Sequence, residues 1–128
     1  MRLLLDTHSF LWFVTNDPQL SGNALALVAE PTNEILLSPA SYWEIAIKIS
    51  LGKYPLTAPF ETFFQEGIEG SGMAILPIDV RHAAVLSSLP MHHKDPFDRM
   101  IIAQAIAEQI AIVSADSAFD AYEAQRLW

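Results

Sequence analysis

Four carboxylates, Asp6, Glu44, Asp98 and Asp116, stand at positions of this 128-residue chain where acidic side chains can meet and hold a cation. Asp6 ends the apolar run Leu3-Leu4-Leu5, and Asp116 lies two residues past the run that closes at Ser114. Glu44 falls in the first turns of a helix predicted from Pro39, and Asp98 in the first turn of one predicted from Asp95-Pro96. In a parallel sheet flanked by helices, strand C-termini and helix N-termini share one edge, and ligands bind there. All four acids are expected at that edge, although the sequence does not say which strands are neighbours. Such a group repels itself unless cations fill the gap. A hard, oxygen-lined site without sulfur suits Mg²⁺ or Mn²⁺. The chemistry open to it is metal-assisted hydrolysis: a bound cation makes water acidic near neutral pH and neutralises developing negative charge.

Each acid also has a plainer reading. Asp95-Pro96-Phe97-Asp98 fits a helix N-cap, with Pro96 in the first position and Asp98 as a box-like partner. Ser41-Tyr42-Trp43-Glu44 fits a capping box, and Asp6 and Asp116 can each cap the helix that follows. Capping is the default for any one of them; four gathered at one edge call for more. His8, His82, His92 and His93 read as structural or surface residues, because no HxxxH spacing occurs. Zinc bound by His93 and Asp95 is the competing metal reading.

The elements that must position these residues alternate in type. Strands are predicted at Leu3–Leu5, Glu34–Ser38, Met73–Ile78 and Ile110–Ser114, with a closing edge strand at Gln125–Trp128. Helices are predicted at Phe10–Val14, from Ser21 to Ala29, from Ser38-Pro39 to Gly52, at Pro59–Glu69, from Asp79 to Leu89, from Asp95-Pro96 to Gln109, and as a short piece from Asp116 to Tyr122. Strands alternating with helices give an α/β fold with a mostly parallel sheet. No repeat, low-complexity tract or linker interrupts it, so residues 1–128 read as one domain.

Composition sets limits on function. Hydrophobic residues make up 52% of the chain, enough for a full core with a surplus for an interface. Trp12, Trp43, Phe60, Phe63 and Phe64 read mainly as core. Without cysteine there is no disulfide framework or thiolate metal site, which fits a reducing cytoplasm. Met1-Arg2-Leu3-Leu4-Leu5-Asp6 meets a charge too early for a signal-peptide apolar region. The formal net charge of −8 weighs against broad, non-specific binding of nucleic acid, but not against a site where cations reverse the local field.

Taken in order, Leu4-Leu5-Asp6-Thr7-His8, Ser41-x-x-Glu44, His93-Lys94-Asp95-Pro96-Phe97-Asp98-Arg99 with Ile102-Ala103-Gln104-Ala105, and Ser114-Ala115-Asp116-x-x-Phe119 resemble the PIN domain. More narrowly the set is similar to the VapC ribonuclease toxins of bacterial toxin–antitoxin pairs. The resemblance implies a three-layer α/β/α sandwich that cleaves RNA with Mg²⁺ or Mn²⁺. It matches Asp6, Glu44, Asp98 and Asp116 to the family's acidic quartet, with Asp6 and Asp98 as direct metal ligands, while Asp95 keeps its capping role. It also implies a homodimer and a cognate antitoxin laid across the active edge. Lys48, Lys53, Lys94 and Arg99 become candidates for RNA backbone contacts, with an i,i+4 pair to Glu44 as the alternative for Lys48.

Two positions depart from the family's pattern. Ser114 stands where threonine is common, which keeps a hydroxyl able to orient Asp116 or a water. Glu108-Gln109 stands where glycine often precedes the last buried strand, which bears on the turn. The competing enzyme class, a phosphatase with an aspartyl nucleophile at Asp6, needs a second aspartate where this chain has His8. A binding module that does not cut is the non-enzymatic alternative, and its usual mark is loss of an acid, which this chain does not show.

Overall fold

Short continuous apolar runs alternate along the chain with apolar residues at helical spacing, and the secondary structure follows that alternation. In the computed structural model, which describes residues 1–128, β1 (Arg2–Leu5) leads into α1 (Thr7–Val14) and α2 (Gly22–Ala29). Next come β2 (Glu34–Leu37), α3 (Pro39–Ser50) and α4 (Phe60–Glu69), then β3 (Ala74–Ile75), α5 (Val80–Ser87) and α6 (Pro96–Glu108). β4 (Ala111–Val113), a short 3₁₀ helix (Ser117–Ala121) and β5 (Arg126–Leu127) close the chain.

The strands form one sheet in the order β3-β2-β1-β4-β5, and every pairing is parallel. Leu5 lies opposite both Leu37 and Val113, so the residues after those three strands emerge side by side at one edge. The chain steps outward from β1 through β2 to β3, then returns to place β4 on the other side of β1. Connections therefore diverge between β1 and β4, and that divergence opens the crevice in which α/β sheets bind ligands.

Both faces of the sheet are covered. Leu3 and Leu5 point into a core with Phe10, Leu11, Val28, Ile45, Phe64 and Ile68. Leu4 points the other way, onto Leu36, Leu89, Ile101, Ile102, Ala105 and Phe119. All three β1 leucines are fully buried, which is why that strand reads as a continuous apolar run. The result is the expected three-layer α/β/α sandwich. No helix is long and apolar enough to cross a membrane.

Several element bounds differ from the sequence expectation for local reasons. α1 begins at Thr7 rather than Phe10, because the extended Asp6 caps it and accepts the Ser9 N–H. β3 keeps only Ala74–Ile75 of the expected Met73–Ile78, since Pro77 has no N–H to give a ladder. The capping box at Ser41–Glu44 is not formed: Ser38 caps α3, its Oγ accepting the Ala40 N–H, with Pro39 in the first turn. Glu44 is thereby released from capping.

Candidate active site

Asp6 leaves the end of β1 into the crevice and is almost completely buried. Its Oδ1 accepts the Ser9 N–H at 2.9 Å, and its Oδ2 accepts the Ser114 hydroxyl at 2.6 Å. Ser114 Oγ in turn accepts the Asp116 N–H at 3.0 Å. One hydroxyl at the end of β4 thus orients the Asp6 carboxylate as well as the Asp116 backbone. Burial pushes the Asp6 carboxyl above its ordinary value, and the hydrogen bonds from Ser114 and Ser9 oppose that shift.

Glu44 reaches the same place from the second turn of α3. It is 4% exposed; Oε2 takes the Lys48 ammonium at 2.6 Å, while the buried Oε1 has no partner. A carboxylate oxygen left bare in a protein interior is costly, so Oε1 is a position at which a cation or its water fits. Lys48 therefore realises the i,i+4 alternative, and the pairing holds its own pKa above the ordinary lysine value.

Asp98 is set by the start of α6. Asp95 Oδ1 accepts the N–H groups of Phe97 and Asp98 at 2.8 and 2.9 Å, which makes Asp95 the cap. The box-like return bond from Asp98 is absent: the Asp95 N–H goes to His93 Nδ1 at 3.2 Å. Burial, together with the charges of Asp95, Asp6, Glu44 and Asp116, pushes the Asp98 carboxyl up to about 8. Every other expected acid acts on this one group, so all of them lie within electrostatic reach of it.

Asp116 caps the 3₁₀ helix through the Ala118 N–H, and its Oδ2 lies 3.1 Å from His93 Nε2. The same nitrogen is 3.3 Å from Asp98 Oδ2, and the three ligand atoms lie within 4.8 Å of one another. His93, read from the sequence as structural or surface, is thus inside the cluster. Its only sequence signal was its place two residues before the cap of the helix that carries Asp98. The zinc pairing of His93 with Asp95 is not formed, since His93 faces Asp98 and Asp116. Ser9, whose Oγ donates to Val113 O, and the buried Thr7–Ser41 hydroxyl pair at 3.0 Å also shape the site and were missed.

Other expectations are redistributed. Arg99 donates to Leu89 O, Pro90 O and His93 O, so its guanidinium holds the loop before α6 rather than reaching out as an RNA contact. Trp43 is a correction: it is 60% exposed, its indole edge-on to Phe97 with ring centroids 5.1 Å apart, not part of the core. Phe60, Phe63 and Phe64 pack as expected around Phe10. His82 is buried between the Asp79 N–H and Glu108, far along α6 from Asp98, and His92 packs on Tyr122. The oxygen-only set of Asp6, Glu44, Asp98 and Asp116, with its bare Oε1 and mutual repulsion, fits a divalent cation.

A PIN domain family model matches residues 3–125. Over 71 residues, 52% of this chain, the sequence is 38% identical to Ribonuclease VapC16 of Mycobacterium tuberculosis (strain ATCC 25618 / H37Rv). That match spans about half the length of the curated relative. Among solved structures, VapBC2 from Rickettsia felis bound to a promoter DNA fragment aligns with a TM-score of 0.73 at 19% identity, covering 99% of this chain and 98% of that one. FitAcB from Neisseria gonorrhoeae aligns at 0.64 and 21% identity, covering 98% and 96%. VapBC-1 from nontypeable Haemophilus influenzae aligns at 0.65 and 16%, covering 99% and 97%. At these identities the likeness is one of fold.

Proposed function

Because the chain belongs to the PIN domain family, we propose that it is a metal-dependent endoribonuclease, the toxin of a toxin–antitoxin pair, that hydrolyses RNA phosphodiester bonds. The observation that carries this reading is the acid cluster itself: the ligand atoms of Asp98 and Asp116 lie within 4.8 Å of each other, and the buried Glu44 Oε1 has no partner. The name of the VapC16 relative and the likeness to the VapBC and FitAcB folds support it.

Asp6 and Asp98 are the direct ligands of the cation, Mg²⁺ or Mn²⁺ by the hardness of the oxygens. Glu44, through its bare Oε1, and Asp116 complete the set. When bound, the cation acidifies water and neutralises charge on the phosphate. Ser114 holds Asp6 in its rotamer and favours its ionised form, and Lys48 balances half of the Glu44 carboxylate. Residues 1–128 act as one domain, since a single sheet runs from Arg2 to Leu127. The partners are the RNA substrate, a cognate antitoxin protein and a second copy of the chain. The exposed Trp43 and Ile47 of α3 and Leu51 at its C-cap, at i, i+4 and i+8, leave apolar surface for a protein partner. The absence of cysteine supports a cytoplasmic location.

The phosphatase alternative loses ground at His8, where a second aspartate is needed and an imidazole lies against Trp12 instead. Incubating the purified chain and an Asp98→Asn variant with RNA, in Mg²⁺ and then in EDTA, tests the proposal. Cutting by the wild type in Mg²⁺ alone is expected. Undiminished cutting by the variant or in EDTA contradicts the assignment, and turnover of a phosphomonoester without RNA cleavage favours the phosphatase.

A further inference from the structure

Trp43 is the one Phe, Trp or Tyr side chain that the fold leaves exposed, yet metal-assisted cleavage gives its ring no task. Its place is the rim of the crevice. Trp43 precedes Glu44 on α3, and Phe97 precedes Asp98 on α6. Successive side chains on a helix diverge by about 100°, so where the acids turn into the crevice the two aromatics stand beside it. They meet there, with ring centroids 5.1 Å apart and planes at 88°, and join the two helix starts that carry the acids. Phe97 is half-buried and its N–H is held by the Asp95 cap at 2.8 Å. It therefore fixes the indole from one side and leaves the rest of the ring open. Ile47 and Leu51 continue the apolar stripe of α3 away from the crevice, where a protein partner is proposed.

Basic side chains give this crevice little hold on an RNA strand. Lys48 is taken by Glu44 and Arg99 by backbone carbonyls. Of the cations left over, Lys94 stands in the loop before α6 and Lys53 lies past the far end of α3. Affinity beyond those ionic contacts is left to the bases and sugars. Base–aromatic stacking supplies it without charge, and an indole already fixed by a neighbour loses little freedom when a base lies on it. We propose that Trp43, buttressed by Phe97, is a stacking platform for an unpaired base of the RNA strand, beside the phosphate held at the acids. The inference rests on the reading of the chain as a metal-dependent ribonuclease. It defines the substrate as a strand with a base free of its own helix, because a paired and stacked base has no open face to offer. Every base has a π-face, so the platform selects strand conformation more than sequence.

Fluorescence anisotropy of a labelled oligouridylate, and of the same strand made without bases, tests this in the Asp98→Asn chain, in which cutting is expected to be lost. Adding Trp43→Ala is expected to weaken binding of the oligouridylate about tenfold, the scale of stacking on one base, and to leave binding of the base-free strand unchanged. Trp43→Phe keeps an aromatic face and is expected to recover most of the loss. Equal weakening for both strands, or none for either, overturns the platform. So does dissociation of a dimer by Trp43→Ala in light scattering, which assigns the indole to a second copy of the chain. If Trp43→Ala does not fold, tryptophan fluorescence decides. The oligouridylate should quench the Asp98→Asn chain and not its Trp43→Phe derivative; equal quenching overturns the proposal. Cleavage of RNA by the wild type in Mg²⁺ reads the nuclease assignment separately. Cutting without an effect of Trp43 on binding removes the platform alone, whereas no cutting removes the assignment on which it rests.

Discussion

How much of Asp6 remains ionised depends on one hydroxyl. Burial favours the neutral acid, and the Ser114 donor at 2.6 Å is the largest opposing influence. Ser114→Ala leaves Asp6 Oδ2 buried without that donor, which costs about 1–3 kcal/mol, and lifts the Asp6 carboxyl further, so that a proton competes with the cation. Urea unfolding and Mn²⁺ titration are expected to show both losses. Ser114→Thr keeps the hydroxyl and is expected to behave nearly as the wild type; equal losses in the two variants would mean that packing, not the hydrogen bond, matters at this position. The acids themselves were legible in the sequence, because each follows an apolar run or stands near the start of a helix that opens with proline. Ser9, Thr7 and His93 were not. A hydroxyl or an imidazole leaves no periodic trace, and its role exists only once β1 and β4 are known to be neighbours.

In the proposed function two helix starts carry the chemistry, and both are built from a cap followed by proline. Ser38-Pro39 begins α3 and Asp95-Pro96 begins α6, which aims Glu44 and Asp98 into one crevice. Asp95 is the informative test, because a cap and a ligand respond differently to substitution. Asparagine is as good a cap as aspartate, whereas alanine costs about 1 kcal/mol. Asp95→Asn is therefore expected to keep stability and Mn²⁺ binding, and to let the Asp98 carboxyl fall from about 8 because a neighbouring charge is gone. Asp95→Ala is expected to unfold at lower urea. Loss of Mn²⁺ binding in Asp95→Asn as complete as in Asp98→Asn would make Asp95 a ligand. At this scale the number and kind of the main elements were legible in the sequence, but their edges were not. The Asp6 cap lengthened α1, Pro77 shortened β3, and Ser38 displaced Ser41 as the cap of α3. Gln109 shows the opposite effect: it ends α6 with a left-handed φ of 57°, the conformation that glycine adopts most cheaply, so the turn forms without its usual residue.

The sheet order brings the ends of β1 and β4 together at the point where the connections diverge, and no local pattern could announce that pairing. The price of the arrangement is electrostatic. Of seven basic side chains, Arg2, Lys48, Arg81 and Arg126 are paired with acids and Arg99 with carbonyls, which leaves Lys53 and Lys94. With about two phosphates neutralised, the affinity of Asp98→Asn for a labelled RNA strand should fall with salt at a logarithmic slope near −1.4. Fluorescence anisotropy across a KCl series measures it; a slope of about −4 or steeper would require a basic surface that the fold lacks. The acid cluster makes the sharper demand. Between the ordinary aspartate value of 3.8 and about 8, the folded chain keeps a proton on Asp98 that the unfolded chain has lost, so stability falls as pH rises through that window. In the proposed metal centre a divalent cation replaces the proton as the neutralising charge. Thermal unfolding at pH 5 and pH 8, in EDTA and in Mg²⁺, with wild type and Asp98→Asn, reads this directly. The metal-free wild type should melt lower at pH 8 than at pH 5 and be rescued by Mg²⁺ at pH 8, whereas Asp98→Asn should be the more stable chain in EDTA and gain little from the ion. A wild type at pH 8 indifferent to Mg²⁺, with Asp98→Asn no more stable than it, would mean that the carboxylates do not converge.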